Sequence, residues 1–262
     1  MKNKLIGLFA LTMMLAVLSG CQSKPTTDPY ELAAKSHSAV TPADRAHIEW
    51  WIPRHEQVLE RIGRGDVDLI MVGDSITHRW ENNGKAIWDQ YYAPRNAVNM
   101  GFSGDRTQHV LWRFDHGEIS GINPKLAVLM IGTNNSNDDT AEEIADGIKS
   151  ICAEMQAKLP KTKILILAIF PRASGNSEQR KLIEPGATFN DQWAKNDKAS
   201  RLASEIADNK MIYYLEINKD FLNKDGVLTR EVMPDLLHLS EYGYEIWAEA
   251  IEPTVQELMG EN

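Results

Sequence analysis

The chain has 262 residues, of which 43% are hydrophobic and 25% are charged, and its formal net charge is −9. This length suits one large domain, and the composition is that of a globular protein without repeats or low-complexity tracts. Because the excess charge is acidic and no cluster of lysine and arginine interrupts it, we exclude nucleic acid as a partner.

The first 20 residues predict a signal peptide. Lys2 and Lys4 precede an apolar stretch over residues 5–18 that is short for a membrane span. Leu18-Ser19-Gly20-Cys21 then resembles the lipobox of bacterial lipoproteins, in which the cysteine is lipidated before cleavage. An ordinary secretory signal with an incidental cysteine is the alternative. We therefore expect lipidation at Cys21 and a protein held by lipid in the bacterial cell envelope, with the membrane as its partner.

Residues 21–42 are rich in Lys, Pro, Thr, Ser and Ala, which predicts a tether, and the folded domain is predicted over residues 43–262. Cys152 is the second of two cysteines, so lipidation of Cys21 leaves no pair for a disulfide. Its helical apolar pattern with Ile148 and Met155 favours a buried thiol. Histidines and carboxylates lack the spacing of metal ligands, and we expect neither a metal nor a cofactor.

Five short apolar runs predict the strands of a sheet. They are nearly continuous, as expected for strands covered on both faces, and lie at 67–72, 97–100, 126–131, 164–170 and 211–217. Helical patterns flank them at 43–62, 105–114, 140–159, 188–207 and 241–259. The alternation predicts a three-layer α/β/α fold whose five-stranded parallel sheet has the flavodoxin-like order 2-1-3-4-5.

Three of the predicted strands run directly into polar segments. The first leads into Gly73-Asp74-Ser75, the second into Gly101-Phe102-Ser103-Gly104-Asp105, and the third into Gly132-Thr133-Asn134-Asn135. Because parallel strands align their carboxyl ends, these segments converge on one edge of the sheet. This convergence predicts an active site there.

Ser75 follows a glycine turn, where an α/β protein presents a nucleophile, although a serine there is also a common helix N-cap. A serine hydroxyl needs a base, and Asp235-Leu236-Leu237-His238 supplies both base and orienting acid from one loop. A histidine satisfied ahead of the final helix is the alternative for His238. The Gly101 N–H and the Asn134 amide are candidate donors to an oxyanion, while each alone is typical of a turn.

In this order the segments resemble the four signature blocks of the SGNH (GDSL-type) hydrolases. From about residue 45 to 258, the chain is most similar to the catalytic subunits of intracellular platelet-activating-factor acetylhydrolase, with Gly104-Asp105 and His109-Val110-Leu111-Trp112-Arg113 among the matching stretches. The resemblance implies a serine esterase that works through an acyl-enzyme. Its implied triad is Ser75, His238 and Asp235, and its implied oxyanion hole comprises the Ser75 and Gly101 N–H groups and the Asn134 side chain.

Leu237 precedes the predicted base, and the bulky Trp80 and Phe102 lie near the predicted nucleophile, which predicts a short acyl pocket suited to acetyl groups. The expected function is hydrolysis of small acyl esters, chiefly acetyl esters of carbohydrates or lipids, and an envelope location favours glycan esters as substrates. A non-catalytic lipoprotein that uses the fold to bind glycans or other partners is the alternative. A metal-assisted phosphodiesterase is disfavoured, and the oligomeric state stays open, with a homodimer as one alternative.

Overall fold

The computed structural model describes residues 36–184 and 189–261. Its strands are Leu69–Gly73 (β1), Ala97–Gly101 (β2), Leu126–Met130 (β3), Lys163–Leu167 (β4) and Ile212–Leu215 (β5). They form one parallel sheet in the order β2-β1-β3-β4-β5, so the predicted sheet and its order are confirmed. Gly73 pairs in register with Gly101 and Met130, which brings the segments after β1, β2 and β3 to one level.

The helices of the described part surround this sheet. They are Trp51–Gly63 (α1), Ser75–His78 (α2), Lys85–Tyr91 (α3), Thr107–Asp115 (α4), Ala141–Lys158 (α5), Ser177–Lys181 (α6), Asp191–Ser204 (α7) and Glu241–Met259 (α8). Short 3-10 turns lie at Ser38–Val40, Arg79–Glu81, Ala93–Arg95, Asn135–Asn137 and Asn218–Phe221. None of the helices in these residues is long and apolar enough to cross a bilayer.

Two hydrophobic clusters fill the space between the sheet and the helices. Ile70 and Val72 of β1 belong to the cluster that α1, α4, α5 and α7 complete, whereas Leu69 and Met71 belong to the cluster around α8. Successive side chains of a strand point to opposite faces, so each cluster is the core of one helical layer. The predicted three-layer architecture is confirmed.

Local capping explains where several helices begin. α1 begins at Trp51, so the predicted start near residue 43 is wrong; Pro53 lies in its first turn, where proline removes no intrahelical hydrogen bond. α5 begins after Thr140, whose Oγ1 accepts from the Glu143 N–H at 3.2 Å while the Glu143 carboxylate accepts from the Thr140 N–H at 2.8 Å. This capping box confirms the predicted start of the helix.

The fold extends into the predicted tether. The signal peptide, Cys21 and residues 21–35 of the tether lie outside the described residues. Within Ser38–Val40, however, Ala39 is fully buried and its carbonyl accepts from Thr107 Oγ1 at 2.7 Å. Gly147 permits this approach, since a Cβ there would lie 2.8 Å from the Ala39 oxygen. The folded domain therefore includes Ser38–Val40 and begins before residue 43.

Candidate active site

Ser75 is presented by a tight turn at the carboxyl end of β1. Gly73 is required there, because a Cβ would lie 2.1 Å from Thr77 Oγ1 and 2.5 Å from the Met130 oxygen. Asp74, and not Ser75, is the N-cap of α2, since its Oδ1 accepts from the Ile76 N–H at 2.9 Å. The Ser75 hydroxyl is therefore not used as a cap.

The structure brings Ser75, His238 and Asp235 together. Ser75 Oγ lies 2.9 Å from His238 Nε2, and His238 Nδ1 lies 2.8 Å from Asp235 Oδ2. Asp235 Oδ1 also accepts from the His238 N–H at 2.7 Å, which the positive φ of +55° at Leu236 makes geometrically accessible. One loop thus holds the imidazole by both its ring and its backbone, and the ring faces the serine.

The electrostatics of Asp235 suit an ionised partner for the imidazole. Burial opposes its ionisation, but hydrogen bonds from the His238 ring and backbone, with the charges of His238 and Arg180, outweigh that effect. Together they hold the pKa of Asp235 well below its usual range. The carboxylate is therefore charged at neutral pH and available to stabilise an imidazolium.

Asp74 has the opposite character. It is fully buried, and its Oδ2 has no hydrogen-bond partner among the described residues. Burial is the main reason that the pKa of Asp74 rises to about 7, with a further contribution from Asp105, while the Ile76 N–H and the charge of Arg172 oppose the rise. A titratable carboxyl therefore immediately precedes the predicted nucleophile in the chain.

Asn134 reaches the same edge from the segment after β3. Its Nδ2 donates to the Asp105 carbonyl at 2.9 Å, which places the amide against the loop of residues 102–105 that follows β2. Because Nδ2 carries two hydrogens, one of them remains for a further acceptor.

Gly101 does not have the role predicted for it. Its N–H donates to Asn99 Oδ1 at 2.9 Å, and its carbonyl accepts from Arg54 Nε at 2.7 Å. A Cβ at this position would lie 2.2 Å from the His78 nitrogen, so the glycine is needed for β2 to pack against α2. The prediction that the Gly101 N–H is an oxyanion donor is wrong, because that group already has an acceptor.

The loop after Gly101 retains one unused donor. Phe102 N–H donates to the Gly73 carbonyl at 3.1 Å, Ser103 N–H to His78 Nδ1 at 3.2 Å, and Asp105 N–H to the Phe102 carbonyl at 3.0 Å. Gly104, at φ +79°, is the residue of this loop whose N–H has no acceptor among the described residues. The sequence signal that could have found it is a glycine between Ser103 and Asp105, where a left-handed turn needs one.

The predicted acyl pocket is wrong for two of its three residues. Trp80 is fully buried among Tyr244 and Trp247 on one face of the sheet. Phe102 is fully buried on the other face, with the Arg113 guanidinium 3.9 Å from its ring centroid. Two large rings that complete separate cores cannot line one pocket. Leu237, which is 7% exposed, stays a prediction.

His78 and His109 are two further histidines near these segments, and both hold loops in place. His78 Nδ1 accepts from the Ser103 N–H, and His109 Nδ1 accepts from the Arg106 N–H at 2.9 Å. Burial and nearby arginines lower the pKa of His78 to about 4 and that of His109 to about 3. The Nδ1 atoms of both neutral rings are already engaged in structural hydrogen bonds.

Comparisons with known proteins show the family to which the chain belongs. Residues 71–246 match the sequence model of the GDSL-like lipase/acylhydrolase family. The chain belongs to this family. It is therefore a carboxylic-ester hydrolase, and the GDSL-type motif at Gly73-Asp74-Ser75 lies where β1 turns into α2.

Relatives of this GDSL-family hydrolase extend over most of its length. Platelet-activating factor acetylhydrolase IB subunit alpha2 of Rattus norvegicus is 30% identical over 212 residues, which cover 80% of this chain and 86% of the relative. Subunit alpha1 of Homo sapiens is 29% identical over 216 residues, with 81% and 85% covered.

Solved structures share its fold. A protein from Streptococcus pneumonia has a TM-score of 0.62 at 20% identity, covering 80% of this chain and 97% of the other. A carbohydrate acetylesterase from Sinorhizobium meliloti has a TM-score of 0.56 at 18% identity, covering 73% and 99%.

A buried ionic network of the hydrolase, which the sequence reasoning missed, supports the loop that carries Gly104. The Asp105 carboxylate is fully buried and accepts from Trp51 Nε1 at 2.8 Å, Arg113 Nε at 3.0 Å and Arg45 Nη1 at 3.2 Å. Arg113 also pairs with buried Glu118. Because these donors hold Asp105, its carbonyl is fixed as the acceptor for Asn134.

Proposed function

We propose that this hydrolase cleaves small acyl esters, chiefly acetyl esters, through Ser75, His238 and Asp235 and a covalent acyl-enzyme. The observation that carries the proposal is the unbroken chain of hydrogen bonds from Ser75 Oγ to His238 Nε2, at 2.9 Å, and from His238 Nδ1 to Asp235, at 2.8 Å. Nucleophile, base and orienting acid thus stand in the order that acyl transfer requires.

In this mechanism Ser75 Oγ attacks the ester carbonyl carbon while His238 Nε2 takes the hydroxyl proton. His238 then delivers that proton to the leaving alkoxide, which departs as the alcohol. Water attacks the acyl-enzyme in the second half, with His238 again accepting and returning a proton. Asp235 keeps the Nδ1–H directed away from the serine and stabilises the imidazolium in both halves.

The oxyanion would be bound by three donors at the carboxyl edge. Asn134 has a free hydrogen on Nδ2, and the Ser75 N–H opens a helix, where it has no intrahelical acceptor. The third donor in this proposal is the Gly104 N–H, because it is the unused donor of the loop that Asn134 contacts. The Gly104 N–H thus has the role of oxyanion donor that the sequence predicts for the Gly101 N–H.

Acetyl esters are favoured as substrates by similarity and by expected location. The relatives at about 30% identity are named acetylhydrolases, and one structural neighbour is named a carbohydrate acetylesterase. A lipid anchor at Cys21 would expose the enzyme in the bacterial envelope, where acetylated glycans and lipids are accessible esters. We propose this location on the lipobox alone, since Cys21 lies outside the described residues.

Hydrolysis of p-nitrophenyl acetate and p-nitrophenyl butyrate, with and without a serine-reactive phosphonate, tests the proposal. We expect faster turnover of the acetate, complete inhibition, and a phosphonate adduct on the peptide that contains Ser75. Ser75→Ala is the matched control and should be inactive yet folded. An inactive wild-type protein that binds acetylated glycans would favour the alternative of a binding module, whereas activity insensitive to the phosphonate would exclude Ser75 as nucleophile.

A further inference from the structure

Asp235 is held from its outer side by an arginine of another element. Arg180, in α6, donates from Nε to the Asp235 carbonyl at 2.9 Å, and its Nη2 lies 3.6 Å from Asp235 Oδ2. That oxygen is the one that faces His238 Nδ1. The Arg180 side chain is only 7% exposed, whereas that of Asp235 is 35% exposed, so the guanidinium covers one side of a carboxylate that solvent otherwise reaches.

Arg180 is itself fixed in place. Its Nη1 donates to the Gly175 carbonyl at 2.6 Å, and α6 begins with a capping box between Asn176 and Gln179. Arg230 secures the same segment differently, since every acceptor that it has among the described residues is a backbone oxygen, including those of Arg180 at 2.9 Å and Pro234 at 2.9 Å. Two arginines thus join α6 to the Asp235 loop, and only Arg180 approaches the carboxylate.

Other charges around this carboxylate come from three directions. Arg172, after β4, lies close enough to influence both Asp235 and Asp74, and burial together with the charge of Arg180 lowers the pKa of Arg172 to about 10. His238 faces Asp235 from within its own loop. Arg172 is therefore a constant positive charge near neutral pH, and Arg180 adds a second one at the oxygen that binds the imidazole.

From this geometry we propose that Arg180 is a positioning residue that orients Asp235 and sets the pH at which His238 becomes available as a base. The inference rests on the proposed function of His238. A positive charge beside Asp235 offsets part of the negative charge that would otherwise stabilise the imidazolium. With Arg180 in place, the imidazolium faces less net negative charge than Asp235 alone would supply, so the neutral, basic form of the ring is favoured.

The test is a comparison of pH profiles of kcat/KM for p-nitrophenyl acetate. Arg180→Gln removes the charge but keeps a donor for the Asp235 carbonyl, and we expect its acid limb to move to higher pH by roughly half a unit or more. Arg180→Lys keeps the charge and should keep the limb near that of the wild type. Arg230→Gln is the matched control, because it loosens the same segment without changing the charge beside Oδ2.

An Arg180→Gln profile that coincides with the wild-type profile would overturn the proposal, as would an equal shift in Arg230→Gln. Titration of the His238 ring resonances by NMR, assigned by their loss in His238→Ala, gives a readout that needs no turnover. If the protein proved inactive on every ester, the proposed function would fail while this titration would still support or refute the role of Arg180. Thermal unfolding of each variant shows which of them are folded.

Discussion

Hydrogen-bonding capacity left over after folding distinguishes the proposed functional residues from their neighbours at the carboxyl edge. His78 and Gly101 also lie at this edge, but the His78 Nδ1 and the Gly101 N–H are already engaged. Asn134 and Gly104 keep a donor each. Residue type and position along a strand therefore identify candidates, and the accounting of donors and acceptors selects among them.

His238→Ala should lower kcat/KM about as much as Ser75→Ala, by roughly 10³-fold or more, because nothing else takes the serine proton. Asp235→Ala should cost less, since the base remains but is poorly oriented. Steady-state kinetics on p-nitrophenyl acetate measure all three, with the wild-type rate rising from acid pH through a single group. A fully active His238→Ala protein would contradict the assignment of the base.

Asn134→Ala should lower kcat by roughly 10²–10³-fold with little change in KM, because an oxyanion donor acts mainly in the transition state. Asn137→Ala is the control, since Asn137 is exposed, donates to the Asn134 carbonyl at 3.3 Å and accepts from Gln192 Nε2 at 2.7 Å, and leaves the Asn134 amide in place. Pre-steady-state acylation rates give the cleanest measurement. A rise in KM at constant kcat would instead make Asn134 a substrate-binding residue.

Asp74→Asn should become more stable relative to the wild type as the pH rises. The pKa of Asp74 lies near 7 in the fold, above its ordinary value, so the native state favours the proton. The contribution of the Asp74 carboxyl to the free energy of unfolding is fully present below pH 4. It decreases between pH 4 and 7 and no longer changes above pH 7. We expect the difference to grow by about 2–4 kcal/mol over that window.

Denaturant unfolding of both proteins at pH 4, 5.5 and 8 measures this change for Asp74→Asn. Burying the amide of the variant also changes the free energy of unfolding, but by an amount that does not depend on pH. The test is therefore how the difference between the two proteins changes with pH. Asp225→Asn, at an exposed position, should show no comparable trend. An Asp74→Asn difference that is the same at all three pH values would mean that Asp74 does not titrate in this range.

At the scale of elements, the strands and their order could be predicted because both faces of the sheet are covered. Residues such as Leu69 and Ile70 are buried on opposite sides, so each strand is a continuous apolar run, and the helices between them impose parallel pairing. The pairing of Asp235 with His238 could also be predicted from the sequence, since both residues lie in one loop.

Contacts between segments that are distant in the chain could not be predicted from the sequence in this way. The use of the Gly101 N–H depends on the rotamer of Asn99, and the burial of Trp80 and Phe102 depends on which layer each ring faces. Arg180 reaches Asp235 across 55 positions of the chain. No local periodicity encodes such pairs, because they are set by the packing of whole elements.

The capping box of α5 offers a prediction confined to one element. Thr140→Ala removes the acceptor of the Glu143 N–H and should lower the free energy of unfolding by about 1 kcal/mol. Activity should be unchanged, since α5 is a scaffold helix. Gln156→Ala, exposed on the same helix, is the control and should not destabilise. Equal unfolding free energies for Thr140→Ala and the wild type would show that the cap is replaceable by water.

On the scale of the whole molecule, the first described segment of the chain packs near the carboxyl edge of the sheet, where the proposed site lies. Within Ser38–Val40, the Ala39 carbonyl accepts from Thr107 and the Ser38 hydroxyl donates to Asp139. Thr107 is the first residue of α4 and Asp139 lies just before α5, and both helices begin at the carboxyl edge of the sheet. From Cys21 to Ser38 the chain spans at most about 60 Å when fully extended. If Cys21 is lipidated, Ser38 would therefore lie within about 60 Å of the membrane surface.

The anchor itself is tested in cells. Globomycin, which blocks the lipoprotein signal peptidase, should make an uncleaved lipidated precursor accumulate, and Cys21→Ser should release or mislocalise the protein. Ser23→Ala, two residues beyond the cysteine, should leave the membrane fraction unchanged. Because the described fold starts well after Cys21, the released variant should keep its esterase activity in solution. A soluble wild-type protein whose N-terminus is not residue 21 would refute the anchor, and membrane proximity would then have no part in the choice of substrate.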